Sequence, residues 1–347
     1  MSTINWAIFV VAAIILIISG LTILYNLIKG DHKTKLTDKF VWGLNIQIFY
    51  ALSSFGAGLM AVMGATILLA GSNLPVLILQ VGASIALACL LAGIIMMGID
   101  LGHPARAIKI LLAKKVTSPL TLDFLATTLL VILSILLTIG VGTGTVAAMK
   151  IWAYLALLAS MICLGSHTLL LASRFEAGFR SSPFNSAETL ACSLWSGVAI
   201  MALISMGNAI QGAYVTMLLV FSLISLVKGI CAAISTILGK DSIHTYKKAF
   251  IALASISALI LIIGDLANIN QGALVVIASL LSLAAVVTEK SASVLSVQKR
   301  SGLPAPFNSL EPEQRYVPSA TEIVHLLFSI AMIAVIPYGV FILRFIA

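Results

Sequence analysis

Ten separate runs of about 20 uninterrupted apolar residues leave this chain one solvent to fold in, the lipid bilayer. They cover approximately 6–28, 41–70, 76–99, 123–143, 150–173, 187–207, 214–238, 248–264, 271–287 and 322–346. Runs of this length match helices that cross a hydrocarbon core. A barrel would instead show segments of about ten residues with alternating polarity. Composition agrees: 61% of the 347 residues are hydrophobic and 9% are charged. A soluble domain with so few polar side chains could not cover itself. The expected fold is therefore an all-α polytopic membrane protein of about ten transmembrane helices, one integral membrane domain over 1–347. The longest connection, roughly 288–321, contains Pro and Ser and reads as a surface loop. The first run lacks a basic leader and a small-residue cleavage pattern, so it reads as a retained helix.

The net charge of +8 is distributed between the runs rather than massed on a nucleic-acid face. Lys29, Lys33, Lys35 and Lys39 follow the first run, and Arg106, Lys109, Lys114 and Lys115 follow the third. Arg174 and Arg180 follow the fifth; Lys240, Lys247 and Lys248 lie about the seventh connection; Lys290, Lys299, Arg300 and Arg315 precede the last run. The alternate connections hold Lys150 alone. The positive-inside rule puts the five basic connections in the cytoplasm and both termini outside a cytoplasmic membrane. No nucleic-acid partner is expected; membrane lipid is.

Four cysteines, Cys89, Cys163, Cys192 and Cys231, stand isolated in apolar runs without C-x-x-C spacing. They read as small buried hydrophobes, and no metal site is expected.

Against this background the ionisable residues stand out, because each is costly near a bilayer. Asp100-Leu101-Gly102-His103-Pro104-Ala105-Arg106 packs an acid, a histidine and an arginine into the break after the third run. An aspartate at a helix C-terminus opposes the helix dipole, so a reason beyond capping is expected. The alternative is a capping and topology-setting cluster. Gln47 and Tyr50 share one face of the second run. Asp123 heads the fourth run and Glu188 the sixth, where the dipole favours acids. His167 lies about seven residues before Arg174, hence roughly 10 Å of helix inside the boundary. Asp265 ends the eighth run at the opposite boundary, either as the far end of a proton path or as a cap. Glu322 and His325 share a face of the last run.

Asp100 to Arg106, followed by Thr117-Ser118-Pro119-Leu120-Thr121, resembles the D-x-G-[RH]-P-x-R … [TS]-S-x-x-[ST] loop of the NrfD-like family. These are the quinone-handling membrane subunits of polysulfide reductase and its relatives. Trp42-Gly43-Leu44 with Gly56-Ala57-Gly58 resembles the family's second helix. Ser166-His167-Thr168 with Ser182-Pro183-Phe184 and Glu188 resembles its fifth helix and the turn into the sixth, although a tryptophan is common where Phe184 stands. Tyr316-Val317-Pro318-Ser319-Ala320-Thr321-Glu322-Ile323 resembles the opening of the last helix in ten-helix members. The resemblance spans about 40–325.

It implies a core of two four-helix bundles, and a site for menaquinone or another quinone. It also implies an iron–sulfur partner of four-iron ferredoxin type docked over the Asp100–Arg106 loop. Through that partner the chain would serve a molybdopterin, hydrogenase or similar catalytic subunit. No haem or iron–sulfur cluster is expected in this chain. On this resemblance Asp100, His103 and His167 carry proton chemistry, and Gln47, Tyr50, Arg106 and His167 surround the quinone. Asp123, Glu188, Asp265, Glu322 and His325 are candidates for a proton path. Arg106 either holds Asp100 ionised or binds the partner. The rival reading is a proton-coupled secondary transporter, which also places acids and histidines in the membrane. The ionisable groups cluster at helix ends rather than the midplane, which favours the quinone reading.

Overall fold

A computed structural model of the chain describes residues 3–29, 43–70, 75–100, 118–141, 143–174, 183–237, 245–266, 271–298 and 317–346. Ten helices make up this part: α1 (Thr3–Lys29), α2 (Leu44–Ala70), α3 (Val76–Asp100), α4 (Pro119–Thr138), α5 (Val146–Arg174), α6 (Pro183–Ile204), α7 (Gln211–Ile237), α8 (Thr245–Leu266), α9 (Gln271–Gln298) and α10 (Ala320–Ile346). All ten are long and apolar enough to span a membrane, and no strand occurs among the described residues. The chain is a multi-pass helical membrane protein. Only helices close all their backbone hydrogen bonds within one segment, so apolar sequence in lipid becomes helix.

Helix boundaries follow local chemistry. Pro119 opens α4, where its missing N–H costs nothing. Gly140, at φ 86°, ends α4, with its N–H donating to the Leu137 carbonyl and Val141 N–H donating to that of Leu136. This pairing is a Schellman cap, and the left-handed backbone at Gly140 suits a residue without a Cβ. One boundary differs markedly from the sequence reading. The ninth span was expected to end at 287, but α9 continues to Gln298. Glu289 and Lys290, which read as the start of a loop, are buried helix residues.

Helices α2, α3, α4 and α5 each pack on the next, and α5 returns to α2, closing a four-helix bundle. Helices α6 to α9 close a second bundle in the same way. The bundles join through α2 and α6, and α1 and α10 pair with each other beside α3. The α2–α6 crossing is tight. A Cβ built on Gly58 would lie 1.9 Å from the Ser193 carbonyl oxygen, and one on Gly197 would lie 2.3 Å from that of Gly58. Lipid removes the hydrophobic drive between helices, so close backbone approach at small residues takes its place. Outward faces stay apolar, as at Ile14, Ile17, Ile18 and Leu21 of α1.

Candidate functional site

The buried ionisable groups collect at one end of the molecule, where even-numbered helices begin and odd-numbered helices finish. Three contacts fix this arrangement. The Leu44 N–H at the start of α2 donates to Glu322 Oε1 at the start of α10, 2.9 Å away. Asp123, in the second turn of α4, meets His167 near the end of α5. Lys290, late in α9, donates to the Thr189 carbonyl early in α6 at 2.7 Å.

The first cluster lies inside the α2–α5 bundle. Cys163 and His167 are four residues apart on α5, so they stack on one face. That face meets Asp123 of α4. His167 Nε2 lies 3.1 Å from Asp123 Oδ1, with both side chains only 1% exposed. Cys163 Sγ is 3.5 Å from the same oxygen and 3.9 Å from Nε2. The Ser166 hydroxyl is 3.1 Å from Asp123 Oδ1 and 2.7 Å from the Cys163 carbonyl, so its one proton serves one acceptor at a time. Thr127 Oγ1 stands 3.4 Å from Cys163 Sγ. On the other side, the rings of Phe49 and Tyr50 of α2 meet the imidazole edge-on, at centroid distances of 5.5 and 5.1 Å. His167 Nδ1 is buried without a hydrogen-bond partner, as is Gln47 Nε2 one turn before Tyr50.

This geometry has a chemical consequence. The short Nε2–Oδ1 contact suits the ring hydrogen on Nε2, donated to the carboxylate, which leaves Nδ1 as the open position of the imidazole. A histidine held this way takes a proton at Nδ1 and the carboxylate stabilises the imidazolium that forms. A buried nitrogen with no partner in the protein is costly, and a ligand that supplies the partner removes that cost.

A second cluster ties α10 to α2 and α3. Glu322 accepts from the Leu44 N–H and from the Ser319 N–H (2.8 Å), while its own N–H donates to Ser319 Oγ at 3.3 Å. The Ser319–Glu322 pair is a capping box whose carboxylate also caps the neighbouring helix. His325 Nδ1 lies 2.8 Å from Asn45 Oδ1. Asp100 ends α3 beside Asn45, within electrostatic reach of Glu322. Asp100 Oδ1 and Asn45 Nδ2 are sealed from solvent, and the Asn45 amide is the side chain placed to support the Asp100 carboxylate.

The third cluster belongs to the second bundle. Glu188 of α6 pairs with Lys228 of α7. Lys290 Nζ lies 3.3 Å from Glu289 Oε2, with Lys290 1% exposed. Ser293 donates to Glu289 Oε1 at 2.9 Å. Below them a serine chain crosses the bundle: Ser222 to Ser257 at 3.3 Å and Ser257 to Ser282 at 2.9 Å. At the opposite end a cavity of about 300 Å³ is lined by Asn208, Gln211, Thr216, Leu261 and Leu274.

The structure thus brings Tyr50, Asp123 and His167 into one neighbourhood, with Gln47 one turn before Tyr50 on α2, and Asp100, Glu322 and His325 into another. Glu188 belongs to neither. Asp265 sits at the far end of α8, and its side chain lies outside the described residues, as do His103 and Arg106. Sequence reasoning passed over Asn45, Lys228 and Glu289, and it read Lys290 as a loop charge and Cys163 as an inert hydrophobe. The fourth-residue spacing of Cys163 and His167 was the available signal for Cys163. Cys231, also expected to be buried, is exposed on α7.

No family model matches this chain, and no curated protein matches it. The fold and clusters define a class by themselves: a multi-pass membrane protein with ten spanning helices among the described residues and ionisable side chains buried near one end of them.

Proposed function

We propose that this chain is the quinone-binding membrane subunit of a respiratory oxidoreductase complex of NrfD-like type. The observation that carries the reading is His167: a fully buried imidazole, oriented by Asp123 and walled by two aromatic rings, with Nδ1 unpartnered. A quinone needs a flat apolar slot and hydrogen-bond partners at its oxygens. Phe49 and Tyr50 furnish apolar walls, and His167 Nδ1 and the Gln47 amide furnish the polar contacts. With a quinol bound, Nδ1 would take one hydroxyl proton, with the Asp123 carboxylate stabilising the imidazolium, and the second hydroxyl proton would leave to water by way of the carboxylates and histidine near the starts of α2 and α10. The two electrons leave to an iron–sulfur partner at the same face, beyond the ends of α3 and α5. Ionisable groups of the Asn45–Asp100–Glu322–His325 cluster, at that face, carry protons between site and water.

The test is quinone content and turnover in His167→Phe. Phenylalanine fills the ring's space without a nitrogen. Bound quinone and quinol oxidation are expected to vanish while the protein still assembles with its partner. Turnover equal to wild type would overturn the reading.

A second reading, a proton-coupled carrier, is favoured by one observation: the polar column of the second bundle. The cavity at one end, the Ser222–Ser257–Ser282 chain and the charged quartet at the other end form a line of polar groups through lipid depth. Gentle purification followed by mass spectrometry separates the two. Co-purifying quinone and an iron–sulfur protein support the first reading; a single protein with neither supports the carrier.

A further inference from the structure

The geometry points to a binding site for one divalent cation of zinc type, held by Asp123, Cys163 and His167. The site shares His167 with the quinone reading and does not depend on it.

Three independent features carry the inference. The first is shape. The would-be ligand atoms Nε2, Oδ1 and Sγ are mutually 3.1, 3.5 and 3.9 Å apart. Zinc bond lengths and a tetrahedral angle require edges of roughly 3.4 Å for N–O and roughly 3.6 Å for both S–O and S–N. The three atoms therefore already outline one face of a tetrahedron, and side-chain shifts of a few tenths of an ångström would complete it. The second is charge. Once the Cys163 thiol gives up its hydrogen on binding, a carboxylate, a thiolate and a neutral imidazole sum to −2, so a divalent cation makes the bound set neutral. Among the described residues no lysine or arginine pairs with Asp123. In a low-dielectric interior a charge-compensated set avoids the cost of a lone buried ion. The third is the outer layer. Thr127 is placed to donate to the thiolate and Ser166 to the carboxylate, the supporting bonds that orient metal ligands. One nitrogen, one sulfur and one oxygen select a borderline-soft ion over magnesium or calcium.

Binding is balanced by one proton. The Cys163 thiol loses its hydrogen to solvent, the cation takes the Nε2 lone pair, and the ring's hydrogen moves to Nδ1. The atom that otherwise accepts a quinol proton then becomes a fixed donor, suited to a quinone carbonyl. On the quinone reading, cation occupancy would therefore oppose quinol oxidation.

Cobalt(II) is the probe, because a cobalt–thiolate bond absorbs in the near ultraviolet and a tetrahedral site shows strong visible bands. Detergent-purified protein, stripped with chelator and freed of quinone, is titrated with Co²⁺. One equivalent is expected to bind with a thiolate charge-transfer band, and excess Zn²⁺ to bleach it. Cys163→Ser should abolish that band, and Cys231→Ser should keep it. Asp123→Asn gives a second arm, with binding at least tenfold weaker. Absence of the band in wild type overturns the site. So does a band that survives Cys163→Ser. Quinone is absent throughout, so failure here leaves the quinone reading standing, and unchanged quinol turnover in His167→Phe, which would overturn that reading, leaves the cation result in place.

Discussion

Asp123 and His167 come from different helices and meet at 3.1 Å with both side chains almost wholly sealed from solvent. The pair sets which imidazole nitrogen is free, so it also sets what the site can do. Asp123→Asn keeps the shape and an acceptor oxygen but removes the charge that stabilises an imidazolium. Quinol oxidation should fall by about 10²–10⁴-fold, the range for loss of an effective proton acceptor, with quinone content unchanged. Rate against quinol concentration in membranes of equal protein content checks this. A fall confined to affinity would mean that Asp123 only positions the ring.

Glu322 joins two helix starts with one carboxylate, through the Leu44 and Ser319 N–H groups. Hydrogen bonds to an ionised group contribute about 1.5–3 kcal/mol each. Glu322→Ala should lower thermal stability in detergent and loosen α10 from α2. Glu322→Gln, with one oxygen left, should retain part of the loss. Equal melting of both variants and wild type would show that water caps these ends as well.

Lys290 is a lysine buried between α9 and α6, held by the Thr189 carbonyl and Glu289. Lys290→Met leaves Glu289 without its charge partner. Breaking a buried pair from one side costs about 3–5 kcal/mol, whereas replacing both members is often close to neutral. The variant should melt early, and Lys290→Met combined with Glu289→Gln should recover most of the stability. Additive losses would show that the two charges do not interact.

The same residues show where sequence reading reached and where it stopped. Ten helices were legible because apolar runs in lipid have no alternative to helix. The end of α9 was not, because Thr288-Glu289-Lys290-Ser291 looks like a polar exit from the membrane. A neighbouring helix makes it an interior segment: α6 supplies the Thr189 carbonyl that takes the lysine. Residue type and placement singled out Gln47, Tyr50, Asp123 and His167 as individual polar groups in apolar runs. The Asp123–Cys163–His167 group was not legible, because no spacing within one run records which face of α4 meets α5. The Ser319-x-x-Glu322 pattern did carry a readable capping box, but nothing in it announced that the carboxylate would reach α2 as well.

Glycine at the α2–α6 crossing supports the final prediction. A methyl on Gly58 would enter the Ser193 carbonyl, and one on Gly197 would enter the backbone at Gly58. Backbone cannot swing aside as a flexible side chain can, so Gly58→Ala or Gly197→Ala must part the bundles. Overpacking costs about 1–3 kcal/mol. Gly98 of α3 offers the contrast, since a Cβ there meets nothing within 4 Å. Gly98→Ala should gain about 0.5–1 kcal/mol from helix propensity alone. Melting of the three variants in one detergent decides it: two should fall and one should hold or rise. A uniform small gain at all three would mean that the bundles slide freely past each other at this crossing.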